Sequence, residues 1–313
     1  MKTLLKTGAA ACAFAAALTA HAFAAEPAAC ESHVAAVTGG PLPPADSDTI
    51  VLRWLANANF EFGYKGKVYL FDSYFDRKAR SHNVGFKAAD VKKAEAIFVS
   101  HAHFDHISDI GPVANQTGAP VVGAPITADV AKKLGVPEKQ IVVAKGGESL
   151  KFGDATIEVA LGQHSTIQPG LTDIYASLYK NDTRPNTAEE NSFTAFVQSK
   201  GSFDPKIITE GVRELAKKLG PVDVAIIAYQ VHAVAETQIS YTWPFIELFQ
   251  PKLFLPAHHD ASFGNWLDLG LEPLFTKLRD EKPGTKFLAP LYRSPICVST
   301  TGANRGAVTS FKY

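Results

Sequence analysis

Three histidines and an aspartate fall within the six residues that follow Ser100, in His101-Ala102-His103-Phe104-Asp105-His106. Neutral imidazole and carboxylate are the donor types suited to zinc and neighbouring first-row metals. A solvated polar loop is the alternative, and it offers no reason for such a density of donors. Alternate residues of extended backbone point the same way, so His101 and His103 are expected to meet one cation. Asp105 and His106 lie past the bend and face a second position.

The elements around this run are those that can hold it in place. Ala96-Ile97-Phe98-Val99 has the β-branched and aromatic bias of a buried strand and puts the histidines on the loop where it ends. Before it, Ile50, Leu52 and Trp54 alternate with their neighbours, as do Phe60, Phe62 and Tyr64. Lys65-Gly66 turns the chain, and Val68 to Phe71 closes a meander with Asp72 at its end. After the loop come helices over 107–116 and 126–134 and strands at 121–122 and 141–143, the order of an α/β layer. A hairpin of 150–152 and 156–161 delivers His164, and residues 165–192 form the least regular stretch. A strand over 192–198, a helix over 205–219 started by Pro205 and a buried strand over 222–228 follow. Next come His232, a helix over 241–249 and the strand-like Leu253-Phe254-Leu255-Pro256-Ala257, which runs into His258-His259-Asp260. An amphipathic helix over 266–278 and strands near 285–288 and 296–298 end the pattern.

Composition narrows the class of partner. The 31 basic and 31 acidic residues cancel, which gives no electrostatic case for nucleic acid. Lys2 and Lys6 precede an alanine-rich apolar run, and Ala22-Phe23-Ala24 is a small-x-small cleavage site, so residues 1–24 are expected to be a secretory signal peptide. No later stretch has the ~20 apolar residues of a membrane span, so an integral membrane segment is not expected. Residues 25–48, rich in Ala, Pro and Gly, read as an irregular N-terminal arm, and residues 49–313 as one domain. Export to a periplasm or beyond permits a Cys30–Cys297 bridge; two unpaired thiols are the alternative.

The H-x-H-x-D-H run, its strand and the spaced later histidines resemble the metallo-β-lactamase fold superfamily, over nearly all of residues 49–300. The Trp54-Leu55-Ala56-x-Ala58 opening and the Leu255-Pro256-x-His258 ending are most similar to its branch of ascorbate-6-phosphate lactonase-like proteins and N-acylphosphatidylethanolamine phospholipase D. The resemblance implies a four-layer αββα sandwich of two mixed β-sheets with outer helices. It also implies one or two zinc ions, with manganese or iron possible. His101, His103 and His164 would hold the first ion, and Asp105, His106 and His258 the second; His259 is the alternative last ligand. Asp72 would support the loop from behind, or be an ordinary turn carboxylate. His232 is a candidate to bind substrate, or an ordinary loop histidine. Where the family usually carries a bridging aspartate, this chain has Gly201-Ser202, with Asp204 two residues on. The implied activity is hydrolysis by metal-bound hydroxide of a small-molecule or lipid-like ester, lactone or phosphodiester. The Ser202 departure keeps a non-catalytic metal- or ligand-binding role open, and some relatives suggest an iron-dependent redox role.

Overall fold

A computed structural model describes residues 27–76, 83–162, 197–198, 208–229, 235–260, 269–301 and 304–311. His164, Ser202, Asp204 and His232 lie outside them.

The meander forms as its alternation requires. β1 (Thr49–Ala56), β2 (Asn59–Tyr64) and β3 (Lys67–Phe71) pair antiparallel. At the β2–β3 turn both Lys65 (φ 46°) and Gly66 (φ 74°) are left-handed, the geometry a two-residue hairpin needs. From β3 the sheet continues in parallel through β4 (Ala96–Phe98), β5 (Val121–Gly123) and β6 (Ile141–Val143). On the other side β1 pairs with β13 (Ile296–Ser299), and β13 with β14 (Val308–Phe311), giving a mixed eight-stranded sheet. β14 has no counterpart in the sequence reading. A separate hairpin joins β7 (Ser149–Phe152) to β8 (Ala155–Glu158).

The second sheet has the order β12 (Lys286–Phe287), β11 (Leu253–Ala257), β10 (Val224–Ala228) and β9 (Val197–Gln198). Its described pairings are all parallel, so only the larger sheet is mixed. Parallel strands are normally covered on both faces. Here Ile226, Leu253, Leu255 and Ala257 meet Leu52, Trp54, Phe60 and Phe98 between the sheets. Ala225, Ile227 and Phe254 turn outward to α4 (Glu210–Leu219), α5 (Ala235–Phe249) and α6 (Glu272–Glu281). A third core lies under α1 (Phe104–Ile107), α2 (Ile110–Thr117) and α3 (Pro125–Lys133), where Ile110, Val113 and Ala131 pack on Leu70, Ile97 and Val121. Three stacked cores make four layers, the expected αββα order.

Helix ends differ from the sequence expectations in physically instructive ways. α4 begins after Thr209, whose side chain accepts from Val212 N, and not at Pro205. A side-chain cap satisfies a first-turn donor, which proline cannot do. α5 starts six residues before Tyr241 and carries Pro244 inside it. The buried face of Tyr241, Trp243, Phe245, Ile246 and Phe249 outweighs the backbone hydrogen bond that Pro244 forgoes.

The N-terminal arm is more ordered than its composition suggests, with 3-10 turns at Ala28–Cys30 and Ala36–Thr38. Beneath it Arg53 donates to Glu61 at 2.7 Å and to Ala29 O at 2.6 Å, and Glu61 accepts from the main-chain N of Ala36 and Val37. Both charged side chains are fully buried and paired with each other, and the extra main-chain hydrogen bonds help offset their burial, although Arg53 Nε has no partner among the described residues. Cys30 is bonded to Cys297, 267 residues away. Among the described residues no helix is long and apolar enough to cross a membrane.

Candidate metal centre

The C-terminal ends of β3, β4 and β11 meet at one edge of the sandwich, and the β1–β2 turn closes over them. β3 delivers Asp72, β4 delivers Ser100 and His101, α1 carries Asp105 and His106, and β11 delivers His258. Asp72 (φ 61°) and His258 (φ 58°) are both left-handed, a sharp bend that lets a strand end turn its next side chain aside. Such conformations cost a non-glycine residue free energy and concentrate at working sites.

Asp72 is fully buried and organises the loop. It accepts from Ser100 N at 2.8 Å, from Ser100 Oγ at 2.7 Å and from His106 Nδ1 at 2.7 Å. With Nδ1 committed to that carboxylate, His106 Nε2 is the nitrogen left to act as a base or ligand. It is buried, has no hydrogen-bond partner among the described residues, and lies 3.7 Å from Asp105 Oδ1. His258 Nε2 lies 3.3 Å from Asp105 Oδ2. One donor atom each from Asp105, His106 and His258 falls within 4.8 Å of the others. Beside this group, His101 Nε2 and His103 Nδ1 approach to 3.0 Å. Two nitrogens at 2.0–2.1 Å from a tetrahedral ion stand roughly 3.3 Å apart, so the pair is close to the spacing of two ligands on one zinc. Orphaned buried nitrogen, paired imidazoles and a buried carboxylate together fit a cation.

Electrostatics agree with that fit. Burial pushes the Asp105 carboxyl up, but the imidazoles of His106, His258 and His103 outweigh it and hold the group well below the usual carboxylate range. His259 takes no part in the cluster. It stacks on Trp54 with ring centroids 4.0 Å apart, and burial lowers its pKa to about 4. Of the two adjacent histidines it is therefore His258 that the structure brings to Asp105. Asp260 is buried and accepts from Asn57 N and from Tyr292 Oη at 2.6 Å.

Two site residues were missed in the sequence. Asn57 donates Nδ2 to Asp105 O and Oδ2, and its position was visible only as the variable place in the Trp-Leu-Ala-x-Ala opening. Asp109 accepts from Phe75 N and Asp76 N and so fixes the segment after Asp72; burial raises its pKa.

Sandwich and donor cluster together describe a metallohydrolase fold, and comparison with known proteins gives the family. Residues 67–258 match the model of the beta-lactamase superfamily domain, and the chain belongs to that family of metal-dependent hydrolases. A UPF0173 metal-dependent hydrolase of Pyrobaculum islandicum is 33% identical over 215 residues, 67% of this chain and 84% of that one. Among solved structures, Igni18, a metallo hydrolase from Ignicoccus hospitalis, aligns with a TM-score of 0.51 at 14% identity, over 80% of this chain and 98% of that one. CmlA, a diiron β-hydroxylase from Streptomyces venezuelae, aligns at 0.53 and 14% identity, over 83% of this chain and 55% of that one. At such identities these two likenesses speak for the fold alone.

Proposed function

We propose that this protein is an exported hydrolase that cleaves an ester, lactone or phosphodiester bond of a small-molecule or lipid-like substrate with cation-activated water. The observation that carries the proposal is the adjacency of two donor groups at one buried edge, His101 with His103 and Asp105 with His106 and His258. A zinc ion in such a setting lowers the pKa of water from 15.7 to about 7 and polarises a carbonyl or phosphoryl oxygen. The chain's own residues do the rest. His101 and His103, with His164 as the expected third donor, would hold one ion; Asp105, His106 and His258 would hold another. Asp105, kept ionised by its imidazole neighbours, is the carboxylate among these donors, and its charge would offset that of the ion and help orient the attacking water. His232 is the residue assigned to the substrate's oxygen. Zinc is the first choice of metal, with manganese or iron as alternatives. Export is supported by the signal-like residues 1–24 and by the Cys30–Cys297 bridge, which belongs to an oxidising compartment. The lactonase-like and phospholipase D-like resemblance sets the first substrates to try.

The test is to count metals in the purified protein and to assay esters, lactones and phosphodiesters with and without a chelator. Turnover lost on chelation and restored by zinc is expected; turnover indifferent to a chelator would refute the chemistry. A second reading, a binding protein without turnover, is favoured by Ser202 at the expected bridging position. In that case metal is present, no substrate turns over, and Ser202→Asp adds a tightly held second equivalent.

A further inference from the structure

Asn57 touches two members of the second donor group, Asp105 and His258. It sits between β1 and β2, fully buried, at φ 52°, a left-handed conformation that asparagine adopts more readily than most residues. Its Nδ2 donates to Asp105 Oδ2 at 3.1 Å and to Asp105 O at 2.9 Å, so one amide grips the carboxylate and the main chain behind it. With Oδ2 engaged, Oδ1 is the oxygen turned toward His106 Nε2. The main chain of Asn57 grips the other donor: its carbonyl accepts from His258 N at 2.8 Å. Asn57 is itself fixed from outside. Its N donates to Asp260 Oδ1 at 2.9 Å, and its carbonyl also accepts from Trp54 Nε1 at 2.7 Å. Trp54 is clamped between the rings of His259 and Tyr292, and Tyr292 donates to the same Asp260 carboxylate.

We propose that Asn57 is the positioning residue of the second cation site: it fixes the orientation of the Asp105 carboxylate and sets the separation of Asp105 from His258 before any ion arrives. This rests on the metal-centre reading above. Groups that orient metal ligands through hydrogen bonds typically change affinity by about 10–100-fold when removed. A residue hydrogen-bonded to two donors of one site should impose that loss on that site's binding event.

The experiment uses the full-length mature protein, stripped of metal, with calorimetric zinc titration and elemental analysis after dialysis. Asn57→Gly removes the amide while keeping the left-handed backbone and all three main-chain hydrogen bonds. Asn59→Ala is the control: Asn59 is buried beside the same turn and bonds Ala56 O and Tyr74, not the donors. The expected result is an Asn57→Gly protein whose stronger zinc event is unchanged and whose weaker one falls about 10–100-fold, while Asn59→Ala lowers Tm without changing the ratio of the two events. Two events of wild-type affinity in Asn57→Gly, or an equal loss in both, overturns the assignment alone. A wild-type protein that binds a single zinc overturns this assignment, since the second site is then not filled, and one that binds none overturns the metal-centre reading with it.

Discussion

His106 shows how one side chain is made to work at both ends. Its Nδ1 meets Asp72 at 2.7 Å while Nε2 faces the Asp105 and His258 donors, so the carboxylate chooses the tautomer that leaves a lone pair toward the site. Asp72→Asn keeps the shape but loses the charge, and is expected to weaken metal binding about 10–100-fold with little change in fold; competition with a chromophoric chelator measures it. His259 offers a pH experiment on the metal-free protein. Its folded pKa of about 4 lies below its ordinary value of 6.5, so between those values the unfolded chain binds more protons than the folded one. Stability is therefore full above pH 6.5 and declines as pH falls toward 4, by about 3 kcal/mol for this group at 1.36 kcal/mol per unit. Urea midpoints at pH 7 and pH 4.5 should converge in His259→Phe, and an unaltered acid slope would show that another group is responsible.

At the scale of elements, the site is a set of strand ends bent into left-handed geometry. His258, at φ 58°, ends β11 in a conformation that costs an L-residue roughly 1–2 kcal/mol. Glycine normally destabilises relative to alanine; at this position the order should reverse, with metal-free His258→Gly more stable than His258→Ala by about 0.5–1 kcal/mol. Chemical denaturation of the two variants decides it. The same scale explains what the sequence could reveal. His101 to His106 lie on one loop after one strand, so residue types and alternation were enough to find them. Asn57 bonds Asp260 across 203 positions, and Trp54 is held by Tyr292 from the far end of the chain; contacts of that span leave no local pattern. The start of α5 was hidden for another reason: the expected helix over 241–249 already ran through Pro244, but Ala235 to Ser240 carry only Ile239 as a large apolar residue and so show no apolar stripe.

For the whole molecule, the arm completes the outer layer of the eight-stranded sheet. Ala35, Ala36 and Val37 join the core under α1 to α3, while Ala29 and Cys30 pack on Val51 and Cys297. Replacing both cysteines by serine is expected to cost about 3–5 kcal/mol, because the bridge closes a very long loop in the unfolded chain. Thermal melts of the double variant measure this, and its zinc content should stay at the wild-type level because neither cysteine borders the donors. Loss of the metal along with the bridge would tie the arm to the site.

The Cys30–Cys297 link also makes the polypeptide between those positions a closed ring. A protease that cuts this ring once leaves two chains joined by the disulfide, of the intact mass plus one water, with nothing set free. Such nicked protein migrates as a single species on a gel run without thiol and separates into fragments only when reductant is added. The same gel therefore reports whether a given preparation has been oxidised.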